Sequence, residues 1–265
     1  MKRSLLCALI LSLCLVPPAS AALRVGATPT PHAEILAQVK DDLKAQGIDL
    51  EIVEFTDYVT PNLALSDGDL DANYFQHLPY LESFCKDRGL KLVAAATVHV
   101  EPMGLFSKKN AKGEKLPDGA VIAIPNDPTN SGRALLLLQS AGLITLAEDS
   151  GLSATELDVE KNPHGFSFRS LEAAQLPRSL DDVDAAVING NYAIPAGLNP
   201  VKDALLVEGA ESPYANVVAV KEGDENKPEI QALVKALQSE KVRDFILETY
   251  KGAVLPAFGE IPQQK

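Results

Sequence analysis

The stretch LRVGATPTPHAEILAQVKDDLKAQGIDLEIVEF, residues 23–55, indicates the fold class because it predicts a strand, a helix and a second strand in succession. Leu23 to Ala27 is typical of a strand. A helix begins at Pro31, since proline is favoured in a first turn, and it ends at Gly47. Another strand covers Leu50 to Phe55. This order of elements favours a parallel sheet with crossover helices, the arrangement of an α/β fold.

The alternation of strands and helices runs along the chain twice. The first series continues through a helix opened by Pro61, a strand at Leu70 to Asn73 and a helix from Leu78, and it ends in one long extended segment from Leu92 to Phe106. The predicted elements of the second series are a strand at Val121 to Ile124, a helix at Pro128 to Ala141, strands at Phe166 to Leu171 and Val183 to Ile188, and a helix interrupted by Pro and Gly. Two series predict two lobes.

Two extended segments are the predicted hinge crossings between the lobes, at Val98 to Phe106 and at Ala210 to Val220. Lobe 1 is then expected to comprise residues 22–102 plus 215–265, and lobe 2 residues 103–214. Because open α/β sheets bind ligands beside the carboxyl ends of their strands, we expect a ligand cleft between the lobes.

The N-terminus has the order of a secretory signal. Lys2 and Arg3 precede an apolar run from Leu5 to Val16, which is shorter than the roughly 20 residues of a membrane span. A small-residue cleavage pattern follows, so residues 1–21 are the predicted signal peptide, cut after Ala21. A periplasmic protein is the favoured outcome, and lipid anchoring through Cys14 is the alternative.

Composition excludes several classes of function. Cleavage removes two of the 24 Lys and Arg residues and none of the 36 Asp and Glu residues, which moves the net charge from −12 to −14. Such a surface repels nucleic acid and anionic membranes. Cys85 is the one cysteine after the leader, so no intramolecular disulfide is expected. Nucleophile elbows, phosphate loops and dinucleotide fingerprints are missing from the sequence, so we expect neither an enzyme nor a cofactor.

The segment IPNDPTNSGR, residues 124–133, runs from a predicted strand through a polar loop into a helix. Free amides at the start of that helix would attract an anion. Arg133 could hold a carboxylate beside them through two parallel hydrogen bonds, and an arginine that faces an open cleft supports little of the core. A helix cap with a surface arginine is the alternative explanation of the same residues.

Three aromatic residues and a histidine gather in the segment DANYFQHLPY, residues 71–80. Tyr74, Phe75 and Tyr80 could form the wall of a pocket for an apolar ligand, with His77 beside them. Core aromatics with a hydrogen-bonded histidine explain the pattern as well.

A metal site is disfavoured by the spacing of the four histidines, which are scattered through the chain at His32, His77, His99 and His164.

Neutral amides follow two other predicted turns. Asn189 ends one strand and Asn216 enters the second crossing. An asparagine both donates and accepts hydrogen bonds, so each could serve a zwitterion, although turn chemistry alone also favours asparagine at such positions.

Six blocks of sequence, in this order, closely resemble the methionine-binding NlpA lipoprotein family. They are GATPxPHAE (26–34), DANxFQH (71–77), PNDPTNxGR (125–133), LPRSLDD (176–182), AVIN (186–189) and ESPYxN (211–216). The resemblance implies a two-lobed periplasmic-binding-protein fold similar to type 2. It also implies a monomer that delivers methionine, in the L or D form or within a dipeptide, to the permease of an ABC importer with a cytoplasmic ATPase.

The resemblance also implies roles for individual residues. Arg133 matches the arginine that holds the substrate carboxylate, and Asn189 and Asn216 match asparagines that hold the amino acid backbone. The positions around the side-chain pocket are Tyr58, Phe75, His77 and Tyr80, with Tyr74 and Asn130 as further candidates. The leader departs from the family because it lacks the usual lipidation cysteine. A receptor for another small amino acid or for a metal ion remains the alternative.

Overall fold

The computed structural model describes residues 22–209, 212–259 and 261 of the chain. The predicted leader with Cys14, and Ala210 and Glu211 of the second predicted crossing, lie outside the described residues. The strands are β1 (Leu23–Ala27), β2 (Leu50–Glu54), β3 (Ala72–His77), β4 (Leu92–Val100), β5 (Gly104–Phe106), β6 (Val121–Pro125), β7 (Thr145–Leu146), β8 (Val159–Lys161), β9 (Ser167–Leu171), β10 (Ala185–Ile188), β11 (Leu206–Val207), β12 (Ala215–Lys221) and β13 (Leu255–Gly259).

The strands form two large sheets, each the centre of one lobe. The sheet of lobe 1 has the order β13-β4-β12-β3-β1-β2, and that of lobe 2 has the order β11-β5-β10-β6-β9, while β7 and β8 pair separately. In lobe 1, β1 pairs in parallel with β2 and β3, as the strand-helix-strand stretch predicts. The two-lobed α/β fold is therefore confirmed.

Helices cover both sheets. They are α1 (Glu34–Lys44), α2 (Thr60–Asp67), α3 (Leu78–Arg88), α4 (Pro128–Ser140), α5 (Leu176–Ser179), α6 (Gly190–Ala193), α7 (Pro200–Asp203), α8 (Pro228–Leu237) and α9 (Glu240–Tyr250). Helix α1 buries Ile35, Leu36, Val39 and Leu43, which share a core with α8 and α9 in lobe 1. Within the described ranges, no helix has the length and apolar character needed to cross a bilayer.

The chain passes between the sheets twice. The first passage lies at residues 101–103, between β4 and β5 of different sheets, and falls within the predicted crossing from Val98 to Phe106. It divides the predicted extended segment from Leu92 to Phe106 into two strands. Pro102 has no backbone N–H to donate to a sheet, which favours a break at this point. The second passage lies between β11 and β12.

Strand β3 extends further than the predicted segment from Leu70 to Asn73. It continues to His77, and all six of its residues are buried between β1 and β12. The polar side chains of this central strand need internal partners. Asn73 and Gln76 find them in Asn62, whose Oδ1 accepts hydrogen bonds from both at 2.8 and 2.7 Å.

Candidate functional site

A cavity lies between the lobes, where β3, β12 and the first crossing face the ends of β6 and β10. It encloses about 330 Å³, counted with the part open to solvent. The residues that line it are Tyr58, Phe75, Gln76, His77, Tyr80, Glu101, Asn130, Arg133, Asn189, Gly190, Asn191 and Asn216. Eight of the nine predicted site residues are therefore brought together.

The structure does not bring Tyr74 to this cavity. Its neighbours on β3, Phe75 and His77, line the cavity, but the Tyr74 side chain is buried in the core of lobe 1. Its hydroxyl group makes a hydrogen bond to Nδ1 of His99. The register of β3 against β12 shifts between Tyr74 and Gln76, so Tyr74 is separated from the three residues after it that line the cavity.

One end of the cavity is aromatic, and its hydroxyl groups are already engaged. The rings of Tyr58, Phe75 and Tyr80 lie within 6.3 Å of one another, centroid to centroid. Tyr58 donates to Oδ1 of Asn191 at 2.5 Å, and Tyr80 donates to the backbone oxygen of Tyr58 at 2.9 Å. Burial raises the pKa of both phenols, so both groups stay neutral. This end offers ring surfaces rather than free donors.

The start of α4 provides fewer free amides than the sequence led us to expect. The carboxylate of Asp127 caps the helix and accepts from the backbone N–H and the side-chain Nδ2 of Asn130, at 2.9 and 3.0 Å. The Ser131 N–H donates to the Asp127 backbone oxygen. The helix cap considered as an alternative is thus present.

Asn130 holds other residues in place instead of offering free groups to a ligand. Its Oδ1 accepts from Nε2 of His77 at 3.1 Å and from Nδ2 of Asn189 at 2.8 Å, while its Nδ2 donates to Asp127. Nδ1 of His77 accepts from the Tyr80 N–H, which places the imidazole proton on Nε2. Burial, with Arg133 nearby, lowers the pKa of His77 to about 3, so the ring is neutral.

Arg133 is buried and paired, which corrects the expectation that it faces an open cleft. Its side chain is 3% exposed. Its Nε and Nη2 donate to the two carboxylate oxygens of Glu208, Nη2 also donates to the backbone oxygen of Glu101, and the Tyr214 ring lies 4.3 Å away. Burial alone would lower the pKa of Arg133, but Glu208, together with Tyr214 and Glu101, raises it above its ordinary value. Among the described residues none accepts from Nη1, so this nitrogen is the donor left for a ligand.

Apart from Asn130, three asparagines line the cavity, and they present different atoms to it. Asn189 uses its Nδ2 on Asn130, and its buried Oδ1 has no partner in the described structure. Asn191 uses its Oδ1 on Tyr58, and its buried Nδ2 has no such partner either. Asn216 uses its Oδ1 on His32, which leaves its Nδ2. The site therefore combines one amide acceptor with two amide donors.

Glu101, in the first crossing, adds a buried carboxylate. Its Oε1 lies 2.9 Å from Nε2 of His99 and 3.3 Å from Nε2 of His32. Burial raises the pKa of Glu101, while burial lowers that of His32 to about 4 and that of His99 to about 3. A larger residue in place of Gly190 would crowd Glu101, because a Cβ there would lie 2.9 Å from the Cβ of Glu101.

His32, His99 and Glu101 are also the kinds of side chain that bind metals, and their ligand atoms lie within 4.8 Å of one another. The spacing along the sequence did not predict this cluster. A metal would need an unprotonated Nε2 on each ring. Instead, the Thr28 hydroxyl group faces Nδ1 of His32, and the Tyr74 hydroxyl group faces Nδ1 of His99. Neither hydroxyl group has another acceptor in the described ranges, so each donates to its Nδ1. The imidazole protons therefore lie on the Nε2 atoms and are directed at Glu101. The geometry favours a hydrogen-bonded carboxylate over a metal centre.

The sequence analysis missed Gln76, Glu101, Gly190 and Asn191. Gly190 and Asn191 directly follow Asn189, so extending that block by two residues would have found them. Glu101 lies inside the predicted first crossing, and a charged residue at a hinge beside a predicted cleft was the available signal. Gln76 lies within a block already singled out, between Phe75 and His77.

Comparison with known proteins places the chain in a family. The sequence profile described as NlpA lipoprotein matches residues 23–258. The D-methionine-binding lipoprotein MetQ of Escherichia coli (strain K12) is 47% identical over 84% of this chain and 82% of its own. A nutrient binding protein from Burkholderia cenocepacia, whose structure was solved bound to methionine, has a TM-score of 0.86 and is 47% identical, covering 89% of this chain and 100% of its own.

A third similar protein is an ABC transporter periplasmic substrate-binding protein from Coxiella burnetii, with a TM-score of 0.85 and 48% identity over 89% of this chain and 100% of its own. The matches to the family profile, to a curated relative and to solved structures each span most of the chain from the first strand onward, and they agree with the resemblance of the six sequence blocks. The chain belongs to the NlpA lipoprotein family.

Proposed function

We propose that this protein is the periplasmic binding protein of an ABC importer and that it binds methionine. The proposal rests on the two chemically different ends of the cavity. Unpaired polar atoms lie at one end, and aromatic side chains whose hydroxyl groups already donate to other residues lie at the other. A free α-amino acid has the same division when its side chain is apolar.

The polar end suits the two charges of an amino acid. Nη1 of Arg133 and Nδ2 of Asn191 and Asn216 are donors for the carboxylate. The carboxylate of Glu101 and Oδ1 of Asn189 are acceptors for the ammonium group. A charged ligand loses its hydration in a closed cavity, so each charge must meet such a partner for binding to occur.

The aromatic end suits a thioether. Tyr58 and Tyr80 have committed their hydroxyl protons to other groups, so a polar ligand side chain would lose its hydrogen bonds with water and gain none here. A sulfur atom gains from aromatic contact, about 0.3 to 1.5 kcal/mol for each. This end therefore favours methionine over small amino acids with polar side chains.

The relatives support the same ligand, since the Escherichia coli protein is named for D-methionine and the Burkholderia cenocepacia protein was solved with methionine. We propose residues 22–102 plus 215–265 and residues 103–214 as the two lobes. Closure of these lobes on methionine would create the surface that a permease with a cytoplasmic ATPase recognises. The protein is proposed to act as a monomer and to catalyse no reaction.

Calorimetry and thermal melting test the ligand. The protein is first unfolded and refolded to remove co-purified ligand. It should then bind L- or D-methionine and melt at a higher temperature in its presence. At a hundredfold excess of ligand over Kd, binding stabilises the folded protein by about 2.7 kcal/mol. Norleucine, which replaces the sulfur by a methylene group, should bind more weakly, and methionine sulfoxide should bind far more weakly. If a panel of amino acids leaves the melting temperature unchanged, the proposal fails, and zinc that replaced methionine would favour a metal receptor.

We also propose that the exported protein begins at Ala22 and carries no lipid. The support is the cleavage pattern that ends at Ala21 and the leucine before Cys14. Intact-mass analysis of exported protein should give the mass of residues 22–265. A diacylglycerol adduct on Cys14 would overturn this assignment and would agree with the relatives that are named lipoproteins.

A further inference from the structure

A second layer of side chains lies behind the cavity wall and is not needed to line it. Thr28 follows β1 and is 1% exposed, and His32 lies in the next turn and is fully buried. The Thr28 hydroxyl group is 2.7 Å from Nδ1 of His32, and Nε2 of His32 is 3.0 Å from Oδ1 of Asn216. These contacts link the end of the first strand to Asn216 of the cavity, which is 184 positions from His32 in sequence.

The surroundings of His32 determine which nitrogen carries its proton. Glu101 places a carboxylate oxygen 3.3 Å from Nε2, and an oxygen anion there requires a proton on that nitrogen. Thr28 can donate to Nδ1, and no other acceptor for its hydroxyl group is found in the described chain. Both neighbours therefore select the tautomer that carries its proton on Nε2.

That tautomer determines the orientation of the Asn216 amide. A protonated Nε2 must meet an oxygen, so Oδ1 of Asn216 turns to His32 and Nδ2 turns away from it. Asn216 sits on β12 opposite His77 and His99, and it lines the cavity. Its free atom on that side is therefore a donor, as an incoming carboxylate requires.

We infer that His32 is a positioning residue for ligand binding: it holds the Asn216 amide with its donor toward the ligand carboxylate and does not contact the ligand itself. The inference rests on the proposed function, because it assumes an amino acid with a free carboxylate. Without the donor at residue 32 the amide can turn over, and its oxygen would then face the carboxylate.

A matched pair of variants separates this role from simple packing. His32→Gln and His32→Met introduce side chains of similar length, and glutamine alone can donate to Oδ1 of Asn216. L-Methionine titrated by calorimetry should bind His32→Gln within about threefold of wild type, and His32→Met about tenfold more weakly, the upper range for one hydrogen bond. Thr97→Val is the control, because it removes another buried hydroxyl group of lobe 1, which donates to the Ala257 backbone oxygen at 2.8 Å and is not among the residues that line the cavity. Its affinity should stay at the wild-type value.

The Asn216→Ala background shows whether the effect passes through that amide. There His32→Met should cost no additional affinity, since no orientation remains to be lost. The inference would be overturned if His32→Gln and His32→Met lost equal affinity, or if His32→Met lost as much affinity in the Asn216→Ala background as in the wild type.

If His32→Met does not fold, nitrogen NMR of the wild-type His32 imidazole decides. A proton on Nδ1 contradicts the inference, and a proton on Nε2 supports it. A wild-type protein that fails to bind methionine would instead refute the proposed function.

Discussion

Replacing Arg133 by methionine is expected to abolish most ligand binding and also to destabilise the unliganded protein. The substitution keeps the length of the side chain but removes its charge. The carboxylate of Glu208, whose side chain is 12% exposed, then loses both of its guanidinium hydrogen bonds. Leaving one partner of a buried ion pair alone costs about 3 to 5 kcal/mol. Because Glu208 retains some contact with solvent, we expect about 3 kcal/mol, or a fall of roughly 6 to 12 °C in melting temperature.

The loss in affinity comes from a different atom. Nη1 is the nitrogen available to the ligand carboxylate, and removing the charged partner of such a group costs about 2 to 5 kcal/mol, at least about 30-fold in Kd. Arg133→Lys should recover part of the affinity, since it keeps the charge but loses the planar set of donors.

The double variant Arg133→Met/Glu208→Gln separates the two effects. It removes the unpaired carboxylate, so the melting temperature of the unliganded protein should return most of the way to the wild-type value while binding remains lost. Thermal melts without ligand and calorimetry with methionine measure the two quantities. A folded Arg133→Met protein that binds methionine within about threefold of wild type would refute our placement of the carboxylate.

Two further predictions concern stability. Burial holds the pKa of His32 at about 4 and those of His77 and His99 at about 3, below the 6.5 of a hydrated imidazole, so the unfolded chain takes up protons that the folded chain excludes as the pH falls below about 6.5. The free energy of unfolding should then fall between pH 7 and pH 5, by at most about 2 kcal/mol for each histidine. The buried carboxyl groups of Glu101 and Asp127, whose pKa values are raised, offset part of this loss. Urea unfolding midpoints that do not fall across this pH range would contradict the prediction. Gly132→Ala should lower the melting temperature of the unliganded protein, because its Cβ would overlap the backbone oxygen of Leu152. An unchanged melting temperature would contradict this expectation and show that the Leu152 segment moves aside easily.

Much of the architecture could be read from local patterns. Strand β1 has its predicted limits, Leu23–Ala27, and α4 begins at the predicted Pro128. Periodicity is a property of adjacent residues, and strand and helix periods differ enough to be distinguished. The alternation of elements also predicts two sheets and two passages between them, since parallel strands need crossover helices. Local patterns did not place the break at Pro102, because apolar extended residues continue on both sides of it.

The cavity was predictable as a set of residues but not as a set of atoms. Sequence blocks and family resemblance identified most of its lining, including Asn189 and Asn216, which could each have offered either end of the amide. Their partners, Asn130 and His32, leave an oxygen free on the first and a nitrogen free on the second. The free end of each amide is set by a neighbour 59 or 184 positions away in sequence.

The buried charges depend on the fold in the same way. Sequence patterns placed Arg133 at a helix start but contained no sign of Glu208, 75 positions away, which takes one edge of its guanidinium. They also left His32, His99 and Glu101 as unrelated residues, although β4 and the turn after β1 bring the three side chains together. Local propensity follows from backbone sterics and the spacing of apolar side chains, which the order of residues already contains. The partner of a buried polar atom follows from which distant segments meet when the core excludes water, and this depends on the packing of the whole chain.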